Sequence, residues 1–309
     1  MLETPSCRLL VAAAWSDYAL LDSGAGTKLE RYGAFRVIRP EPQAMWRRRL
    51  PEREWLAADA IFEAGSAEDS GNWRCPKPPP ESWPISYPGR AGRVVLAARL
   101  TPFRHLGLFP EQASHWDWAA EKIAADREAG RTPRVLNLFA YTGAASIAAA
   151  LAGAEVTHVD ASKKAIAWAK ENQALSGLGE RSIRWIAEDA VAFLRREVRR
   201  GRSYDGIFLD PPKFGRGDQG QVFKLFDDLS EVLGLCRQLL APEALFLILT
   251  TYAIRASFAS LHYLFEETLA GLGGEIESGE ICLVEEATGR VLPTALYARW
   301  GRGPIGPVP

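Results

Sequence analysis

Hydrophobic positions in the second half of the chain alternate regularly between two periods. From residue 134 onward, five short apolar runs are each followed by a longer segment of helical periodicity. The runs are RVLNLFAY, EVTHVDAS, SIRWIAEDA, YDGIFLDPP and ALFLILTTY. Such units predict a parallel sheet covered by helices on both faces. The last two runs, EIESGEICLVEE and TALYARWG, are separated only by a loop, which predicts an antiparallel pair.

The first half of the chain has shorter apolar runs and more turn signals. Residues 8–40 contain four short runs punctuated by glycines and Asp-Ser-Gly, which predict a small β-rich unit. The pattern predicts helices over 51–64 and 110–130 and a strand over 93–101. Six prolines within 74–90 predict a loop or linker without regular structure.

These patterns together predict an α/β fold in two parts. Residues 1–90 are expected to form a small β-rich N-terminal domain, ending in the proline-rich linker at about 74–90. We regard this part as a candidate for substrate recognition. Residues 91–309 are expected to form a Rossmann-like domain with a seven-stranded sheet that ends in an antiparallel hairpin.

Composition and charge narrow the class of protein. The 309 residues are 47% hydrophobic and 24% charged, with a net charge of −1, an ordinary soluble globular mixture. No apolar run reaches the roughly 20 residues that span a bilayer, and the N-terminal patch LLVAAAW lacks the basic flank of a signal peptide. The balanced charge counts against tight nonspecific binding to nucleic acid. We expect a cytoplasmic monomer or homodimer.

The cysteines indicate neither a disulfide framework nor a zinc site. Cys7, Cys75, Cys236 and Cys282 are widely spaced and form no C-x-x-C pair. This usage is typical of a reducing cytoplasm, and we expect no bound metal. Cys236 has leucines at helical spacing, which predicts a position in the core.

Ligands of open α/β sheets bind beyond the carboxyl ends of the strands, so the chemistry is sought there. The first strand of the alternation ends in NLFAYTGAAS, where Gly143 permits a tight turn into an alanine-rich helix. The turn has one glycine instead of G-x-G-x-x-G, and the chain contains no P-loop motif. A nucleoside ligand without a phosphate cradle is therefore favoured over NAD or ATP.

Acidic residues end the next two strands. Asp160 follows Gly143 by 17 residues, where a carboxylate can accept both hydrogen bonds of a ribose diol. It could instead cap the next helix, although Ser162 is equally placed to do so. Asp189 suits an adenine amino group, with the Ala190 N–H available to the ring, or it is simply a helix N-cap.

The fourth strand ends in FLDPPKFGRG, residues 208–217. Two prolines fix φ in this loop and remove competing N–H donors. The aromatic residue that follows them could stack on a base taken out of its helix. The alternative is an ordinary strand stopped by prolines.

Taken together, these stretches resemble class I S-adenosylmethionine (SAM)-dependent methyltransferases. The chain is similar, more narrowly, to the bacterial large-subunit ribosomal RNA methyltransferases that modify cytosine C5 or guanine N7. The matching stretches are VLNLFAYTGAAS, VTHVDASKKAIAWAKENQALSGL, EDAVAFL and DPPKFGRG, and GLFPEQ resembles the family's Gly-Phe-Phe-Leu-Asp-Gln-Arg element. The likeness covers residues 93–300 and extends to 22–46.

The resemblance implies SAM as the cofactor and a nucleic-acid base, in ribosomal RNA, as the methyl acceptor. Its implied cofactor site comprises Gln112, Asn137, Phe139, Ala140, Tyr141, Thr142, Gly143, Asp160, Ala161, Ser162, Asn172, Asp189, Ala190 and Asp210. Its implied catalytic loop comprises Asp210, Pro211, Pro212, Lys213 and Phe214. Because the sulfonium is a cation, a carboxylate and aromatic rings suit it.

The chain also departs from this family. Cytosine-C5 enzymes attack the base with a thiolate, and the relatives carry that cysteine after the fifth strand, where this chain reads LTTYAIRAS. We therefore predict transfer by in-line displacement without a cysteine nucleophile. Ala113 also stands where the family has arginine.

Substrate recognition is predicted at cations interleaved with aromatic residues on the N-terminal strands, a pattern suited to RNA. The candidates there are Lys28, Arg31 and Arg36, with Tyr32 and Arg39 nearby; Phe214 and Arg216, in the loop after the fourth strand, are further candidates. An ordinary charged surface is the alternative. A methyltransferase for a protein or small molecule is the second functional hypothesis. Missing glycines disfavour a nicotinamide oxidoreductase, and the intact acids disfavour a non-catalytic RNA-binding module.

Overall fold

A computed structural model describes residues 4–65, 70–179, 183–216, 222–252 and 254–303. The first third is mainly strands: β1 (Arg8–Val11), β2 (Tyr18–Gly24), β3 (Thr27–Tyr32), β4 (Phe35–Pro40), α1 (Glu52–Leu56), β5 (Ala60–Ala64), β6 (Gly71–Arg74), β7 (Trp83–Tyr87) and β8 (Val94–Ala98).

The remainder alternates strands and helices, as the periodicity predicts. After a 3₁₀ turn at Pro110–Gln112 come α2 (Ala113–Glu128), β9 (Arg134–Leu138), α3 (Ala144–Leu151), β10 (Glu155–Asp160), α4 (Lys163–Leu175), β11 (Ile183–Ala187), α5 (Ala190–Arg199), β12 (Gly206–Leu209), β13 (Phe214–Arg216), β14 (Val222–Lys224), α6 (Leu225–Leu239), β15 (Phe246–Tyr252), α7 (Phe258–Thr268), β16 (Glu275–Val284) and β17 (Val291–Gly301).

The large sheet has the predicted parallel core and terminal antiparallel pair. Its strand order is β1-β16-β17-β15-β12-β9-β10-β11. Strands β9 to β12 and β15 run parallel, and β17 runs antiparallel to both β15 and β16. The central strands β9 and β12 are buried almost throughout, because helices pack on both faces. This is why their sequences are mainly apolar and do not alternate.

The sheet has one strand more than the seven predicted. Strand β1 lies parallel to β16 at the edge, with Arg8 opposite Gly279. A Cβ atom at Gly279 would lie 1.8 Å from the Arg8 carbonyl oxygen. Glycine is therefore required where the backbone of the eighth strand approaches.

The N-terminal sheet, in the order β2-β3-β4-β5-β6, contains a correction to the predicted helix over 51–64. Helix α1 occupies only Glu52–Leu56, and the second half of the segment is strand β5. Ala60 and Phe62 are buried while Ile61 between them is not. Alternating burial is typical of a strand, and β5 lies between β4 and β6 in the sheet. Packing in the sheet therefore overrides the helical pattern of the sequence.

The proline-rich segment 74–90 also contains regular structure, contrary to prediction. Strand β7 pairs with β8 in a two-stranded antiparallel sheet. Trp83 and Ile85 face the core, while Pro84 between them is exposed. Proline is tolerated in such an edge strand because its missing N–H costs no ladder hydrogen bond there.

Contacts join the N-terminal sheet to the β16–β17 hairpin. The Glu286 amide donates to the Leu20 carbonyl oxygen over 2.8 Å, and the Ser23 hydroxyl donates to the Glu285 carboxylate. The division of the chain at residue 90 remains a prediction. Of the strands before residue 90, β1 belongs to the large sheet, and β7 pairs with β8 on the other side of the division.

Candidate active site

A cavity of about 1400 Å³ lies beyond the carboxyl ends of the parallel strands, with the N-terminal sheet as its opposite wall. The predicted residues that line it are Lys28, Phe139, Tyr141, Asp160, Ala161, Ser162, Asp189, Ala190, Asp210, Pro211, Pro212, Lys213 and Phe214. A neighbouring cavity of about 50 Å³ is lined by Gln112, Asn137, Ala140, Thr142 and Gly143, and shares Phe139, Tyr141 and Asp210. The strand ends chosen from sequence therefore converge.

The turn after β9 is conformationally strained. Phe139 and Tyr141 have φ values of 53° and 46°, in the left-handed region that bulky residues rarely adopt. Gly143 follows at φ 85°, and a Cβ there would lie 3.0 Å from the Ala169 Cβ. The Tyr141 amide donates to Asp160 Oδ2 over 2.8 Å, which holds the turn. Strain of this kind is found where a backbone is shaped for a ligand.

The Asp160 carboxylate lines the large cavity and is not the cap of α4. Its second oxygen accepts from the Ser162 amide over 2.8 Å. Ser162 caps α4, because its hydroxyl oxygen accepts from the Ala165 amide. Of the two predicted caps, Asp160 and Ser162, it is therefore Ser162 that caps this helix. Burial raises the pKa of Asp160, and the two backbone hydrogen bonds oppose the shift. Each carboxylate oxygen retains capacity to accept from a ribose hydroxyl.

Asp189 is the N-cap of α5, which is the second of the two roles predicted for this residue. Its Oδ1 atom accepts from the Ala192 amide over 2.9 Å. Asp189 and Ala190 nevertheless both line the cavity. Capping and ligand contact are compatible, because a carboxylate can accept several hydrogen bonds.

Asp210 lies at the end of β12 in a network that joins three segments of the chain. Gln112 Nε2 donates to Asp210 Oδ2 over 2.7 Å and to the Tyr252 hydroxyl over 3.0 Å. Tyr252 also hydrogen-bonds Glu111. Burial raises the pKa of Asp210 to about 7; the Gln112 hydrogen bond opposes the shift, and the charge of Glu111 adds to it. This carboxyl can therefore change protonation near neutral pH.

The loop that follows Asp210 leads into a hairpin of β13 and β14. Pro211 is buried, while Pro212 and Lys213 are exposed. Phe214 is 51% exposed and lines the cavity. On the opposite face of the hairpin, the Phe223 ring packs 5.3 Å from the Phe139 ring. The hairpin thus connects the loop to the strained turn.

Three predicted residues do not line either cavity. Asn172 is buried and bridges two backbone segments, accepting from the Ala97 amide and donating to the Thr142 carbonyl oxygen. Arg31 donates to the carbonyl oxygens of Ser16 and Gly33, and Arg36 pairs with Glu54 at 2.9 Å. The side chain of Arg216 lies outside the described residues.

The other N-terminal cations are engaged in ion pairs. Lys28 lies 3.2 Å from Glu41, and both residues line the cavity. Arg39 is buried and donates to both oxygens of Glu30 over 2.6 and 2.7 Å. Its Nη1 atom also donates to the Arg104 carbonyl oxygen. These contacts fix the wall of the cavity.

Sequence reasoning missed Glu111 and His105, both of which line the large cavity. Glu111 directly precedes Gln112, and burial raises its pKa. Tyr252, which lines the same cavity, ends the fifth parallel strand, one of the strand ends to which the sequence pattern points. His105 lies in a loop before α2 and carries no comparable signal.

The described ranges contain no cluster of three or more His, Cys, Asp or Glu side chains placed to hold a metal. They likewise contain no helix long and apolar enough to cross a membrane.

The fold and the site together define a class. Five parallel strands with an antiparallel hairpin at one side, a strained turn after β9 and an acid at the end of β10 are the arrangement expected of class I methyltransferases. The site also suits SAM chemically. Asp160 offers acceptors for a ribose diol, while Phe139, Tyr141 and Asp210 offer rings and a carboxylate for a cation.

Comparison with known proteins supports this class. A crystal structure of the SAM-dependent methyltransferase from Agrobacterium tumefaciens is 51% identical, covers 97% of this chain and 96% of that chain, and has a TM-score of 0.90. A proposed SAM-dependent methyltransferase from Streptococcus mutans, 16% identical with a TM-score of 0.69, covers 93% of this chain and 76% of its own and shows the same fold. The chain belongs to the SAM-dependent methyltransferases, and SAM is its cofactor.

Two further comparisons concern the α/β part. The family described as Conserved hypothetical protein 95 matches residues 116–248. Ribosomal RNA large subunit methyltransferase K/L from Shewanella sp. strain ANA-3 is 37% identical over 147 residues, covering 47% of this chain and 20% of that protein. The chain thus spans about a fifth of the length of this curated relative.

Proposed function

We propose that the protein transfers a methyl group from SAM to a nucleic-acid base, in ribosomal RNA, by in-line displacement. The observation that carries the proposal is the geometry of the D-P-P-K-F loop. It sets Asp210, held by Gln112, beside a partly exposed Phe214 at the wall of a cavity far larger than a nucleoside. The similarity to the Shewanella ribosomal RNA large subunit methyltransferase supports the same substrate class.

The loop residues have distinct tasks in this proposal. SAM supplies a methyl group made electrophilic by its positive sulfur. Asp210 accepts a hydrogen bond from the target base and aligns the attacking atom, so that proximity contributes most of the acceleration. Gln112 fixes the orientation of the carboxylate. The prolines restrict the loop, Lys213 lies exposed at its rim, and Phe214 stacks on the extruded base.

The implied cofactor roles follow the strand ends. Asp160 holds the ribose hydroxyls, with Ala161 and Ser162 beside it, while Asp189 and Ala190 face the adenine. The turn through Gly143 lines the methionine side. Arg216, Lys28, Arg31 and Arg36 remain candidate RNA contacts, and Asn172 supports the turn through Thr142.

A cysteine nucleophile is not part of the proposal. None of the four cysteines, all within the described residues, lines the cavity. Cys236 is buried in the core as predicted, and burial raises its pKa to about 12. A thiol-linked adduct with RNA containing 5-fluorocytosine would contradict this mechanism.

A protein or small molecule is the second candidate acceptor. It is favoured by the N-terminal cations, since Lys28, Arg36 and Arg39 are each paired with an acid. The net charge of −1 points the same way. We propose a cytoplasmic location, which suits four free cysteines.

One labelling experiment separates the two acceptors. The protein is incubated with tritiated SAM and total RNA, ribosomal subunits or protein extract from a strain lacking the gene. We expect label in large-subunit RNA with the wild-type protein and none with Asp210→Ala. Label confined to protein or small molecules would refute the RNA proposal.

A further inference from the structure

The rim of the large cavity carries a stacked pair of rings that the methyl-transfer site does not use. The rings of Phe103 and His105 are nearly parallel, with an interplanar angle of 18° and centroids 5.6 Å apart. Both line the cavity. Phe103 is 50% exposed, and because one face is stacked on His105, the exposed area belongs to its other face and edge.

The loop that presents this ring is held rigidly. Thr101 Oγ1 accepts from the Phe103 amide over 3.2 Å, and the same hydroxyl hydrogen-bonds the His105 carbonyl oxygen over 2.8 Å. Strand β6 fixes the loop from outside, since the Trp73 indole donates to the Thr101 carbonyl oxygen over 2.7 Å. A rigid aromatic surface loses little conformational entropy when a ligand binds.

The ring beneath Phe103 is connected to the cofactor side of the cavity. His105 Nδ1 lies 3.3 Å from the Tyr141 hydroxyl, and the two rings meet edge to face. Burial lowers the pKa of His105 to about 4, and the nearby arginines Arg39 and Arg104 add to the shift. The imidazole is therefore neutral at neutral pH, and the pair presents a flat surface without charge.

Exposed cations line part of the large cavity. Glu111 is buried in its wall, and Asp210 is part-buried there. Lys213 and Arg255 are exposed and Arg104 is half-buried, and all three line the same cavity. Cations at the rim match the phosphates of a nucleic-acid strand that enters from outside.

We propose that Phe103 forms a second stacking subsite, which takes an unpaired nucleobase next to the base that is methylated. The ligand is single-stranded nucleic acid, and the inference rests on the proposed function. In this arrangement Phe214 receives the target base and Phe103 receives its neighbour. A cavity of about 1400 Å³ exceeds the roughly 300–1000 Å³ of sites for one small ligand, so it has room for more than the cofactor and one base.

The test measures binding separately from methylation. The probe is a fluorescein-labelled single-stranded RNA of about 12 nucleotides, within the usual site sizes, followed by fluorescence anisotropy. A second probe has the same backbone with abasic positions in place of its bases. The variants are Phe103→Ala, Phe103→Leu and Phe103→Trp. The matched control is Phe226→Ala, because Phe226 is 66% exposed but does not line the cavity.

We expect Phe103→Ala to weaken binding of the RNA about tenfold, since stacking of one base has an effect of this size. Phe103→Leu should be similarly weak, and Phe103→Trp should restore binding. Phe226→Ala should change neither affinity, and binding of the abasic probe should be insensitive to residue 103. Calorimetry with S-adenosylhomocysteine should give equal affinities for all variants, which shows that the folded cofactor site is intact.

The inference would be overturned if wild-type protein and Phe103→Ala bound the RNA probe equally well. It would also be overturned if Phe103→Ala lost the same affinity for the abasic probe as for the RNA probe. Failure of the proposed function has a different signature: no tritium enters RNA with the wild-type protein. If tritium enters RNA but Phe103→Ala leaves the affinity for the probe unchanged, only the second subsite is refuted.

Discussion

Gln112 Nε2 lies 2.7 Å from Asp210 Oδ2, although the two residues are 98 positions apart in the chain. The contact ties the segment before α2 to the end of β12. It sets the orientation of the carboxylate, and the donated hydrogen bond favours the ionised form of Asp210 against the burial that opposes it. Orientation and ionisation of the same carboxyl therefore depend on one amide.

The pH dependence of methyl transfer should report Asp210. If the ionised carboxylate accepts the hydrogen bond from the base, kcat should rise with pH around a midpoint near the Asp210 pKa of about 7. Gln112→Ala removes a hydrogen bond that lowers this pKa, so the midpoint should move to higher pH. Asp210→Asn should abolish the rise and lower kcat about 100-fold. Rate profiles of the three proteins test this, and a rise that persists in Asp210→Asn would contradict it.

The ionised form of Asp210 should also lower the free energy of unfolding at high pH. Burial raises its pKa from about 3.8 to about 7, so between these values the folded state binds more protons than the unfolded state. Stability therefore falls as pH rises through this window. Asp210→Asn should raise the free energy of unfolding by on the order of 2 kcal/mol at pH 8, with little gain at pH 4. Denaturant titrations at both values measure it; an equal gain at both would exclude the linkage.

Substitutions at Asp160 and Ser162 should separate cofactor binding from helix capping. Asp160→Ala removes the proposed acceptor for the ribose diol and releases the Tyr141 amide, so affinity for S-adenosylhomocysteine should fall at least about tenfold. Ser162→Ala removes the cap of α4 but leaves the Asp160 carboxylate in place, so it should cost about 1 kcal/mol of stability and lower the affinity much less than Asp160→Ala does. Calorimetry and thermal unfolding of both variants provide the comparison. Equal affinity in Asp160→Ala and wild type would refute the role of Asp160.

The two roles of Asp189 can be separated in the same way. Asp189→Ala should lose both the α5 cap, about 1 kcal/mol of stability, and the proposed contact with the cofactor. Asp189→Ser should retain the cap, because serine is a comparable N-cap residue, but not the reach of the carboxylate. We expect Asp189→Ser to unfold like the wild type and bind S-adenosylhomocysteine like Asp189→Ala. Wild-type affinity in both variants would leave Asp189 as a cap alone.

Gly279→Ala should displace the eighth strand. The added Cβ would lie 1.8 Å from the Arg8 carbonyl oxygen, so β1 must move away from β16. Hydrogen exchange should show loss of protection in residues 8–11, while β9 and β12 in the centre of the sheet remain protected. Gly234→Ala is the control, because a Cβ there meets nothing within 4 Å. Unchanged protection of β1 would show that the edge adapts.

The sequence was most informative where structure depends on neighbours in the chain. Each of the four strand ends, including Asp160 and the loop at Asp210, could be located because a strand, a turn and a helix follow one another locally. The partner of β1 lies about 270 positions away at Gly279, and no local pattern indicates such pairing. Lys28 was predicted only as an RNA contact of the N-terminal strands; its position at the cavity and its pairing with Glu41 depend on the fold of β3 and β4.

The assignments of β5, Glu111 and Asn172 depend on contacts that no local pattern shows. Strand β5 was predicted as helix because alanines and a short apolar run fit both periods, and only burial of Ala60 and Phe62 decides between them. Glu111 was not predicted, because the resemblance implied a role only for its neighbour Gln112. Asn172 was assigned to the cofactor site with its matching stretch, yet its side chain is used by two backbone segments.

The loop before α2 belongs to both parts of the chain at once. Gly71 donates to the Pro102 carbonyl oxygen from the N-terminal side, and Thr142 donates to the Gly107 carbonyl oxygen from the strained turn. A break at residue 90 would also part β7 from β8. Exchanging the N-terminal part for that of a distant homologue would therefore disturb the cofactor pocket, because one loop carries contacts to both parts.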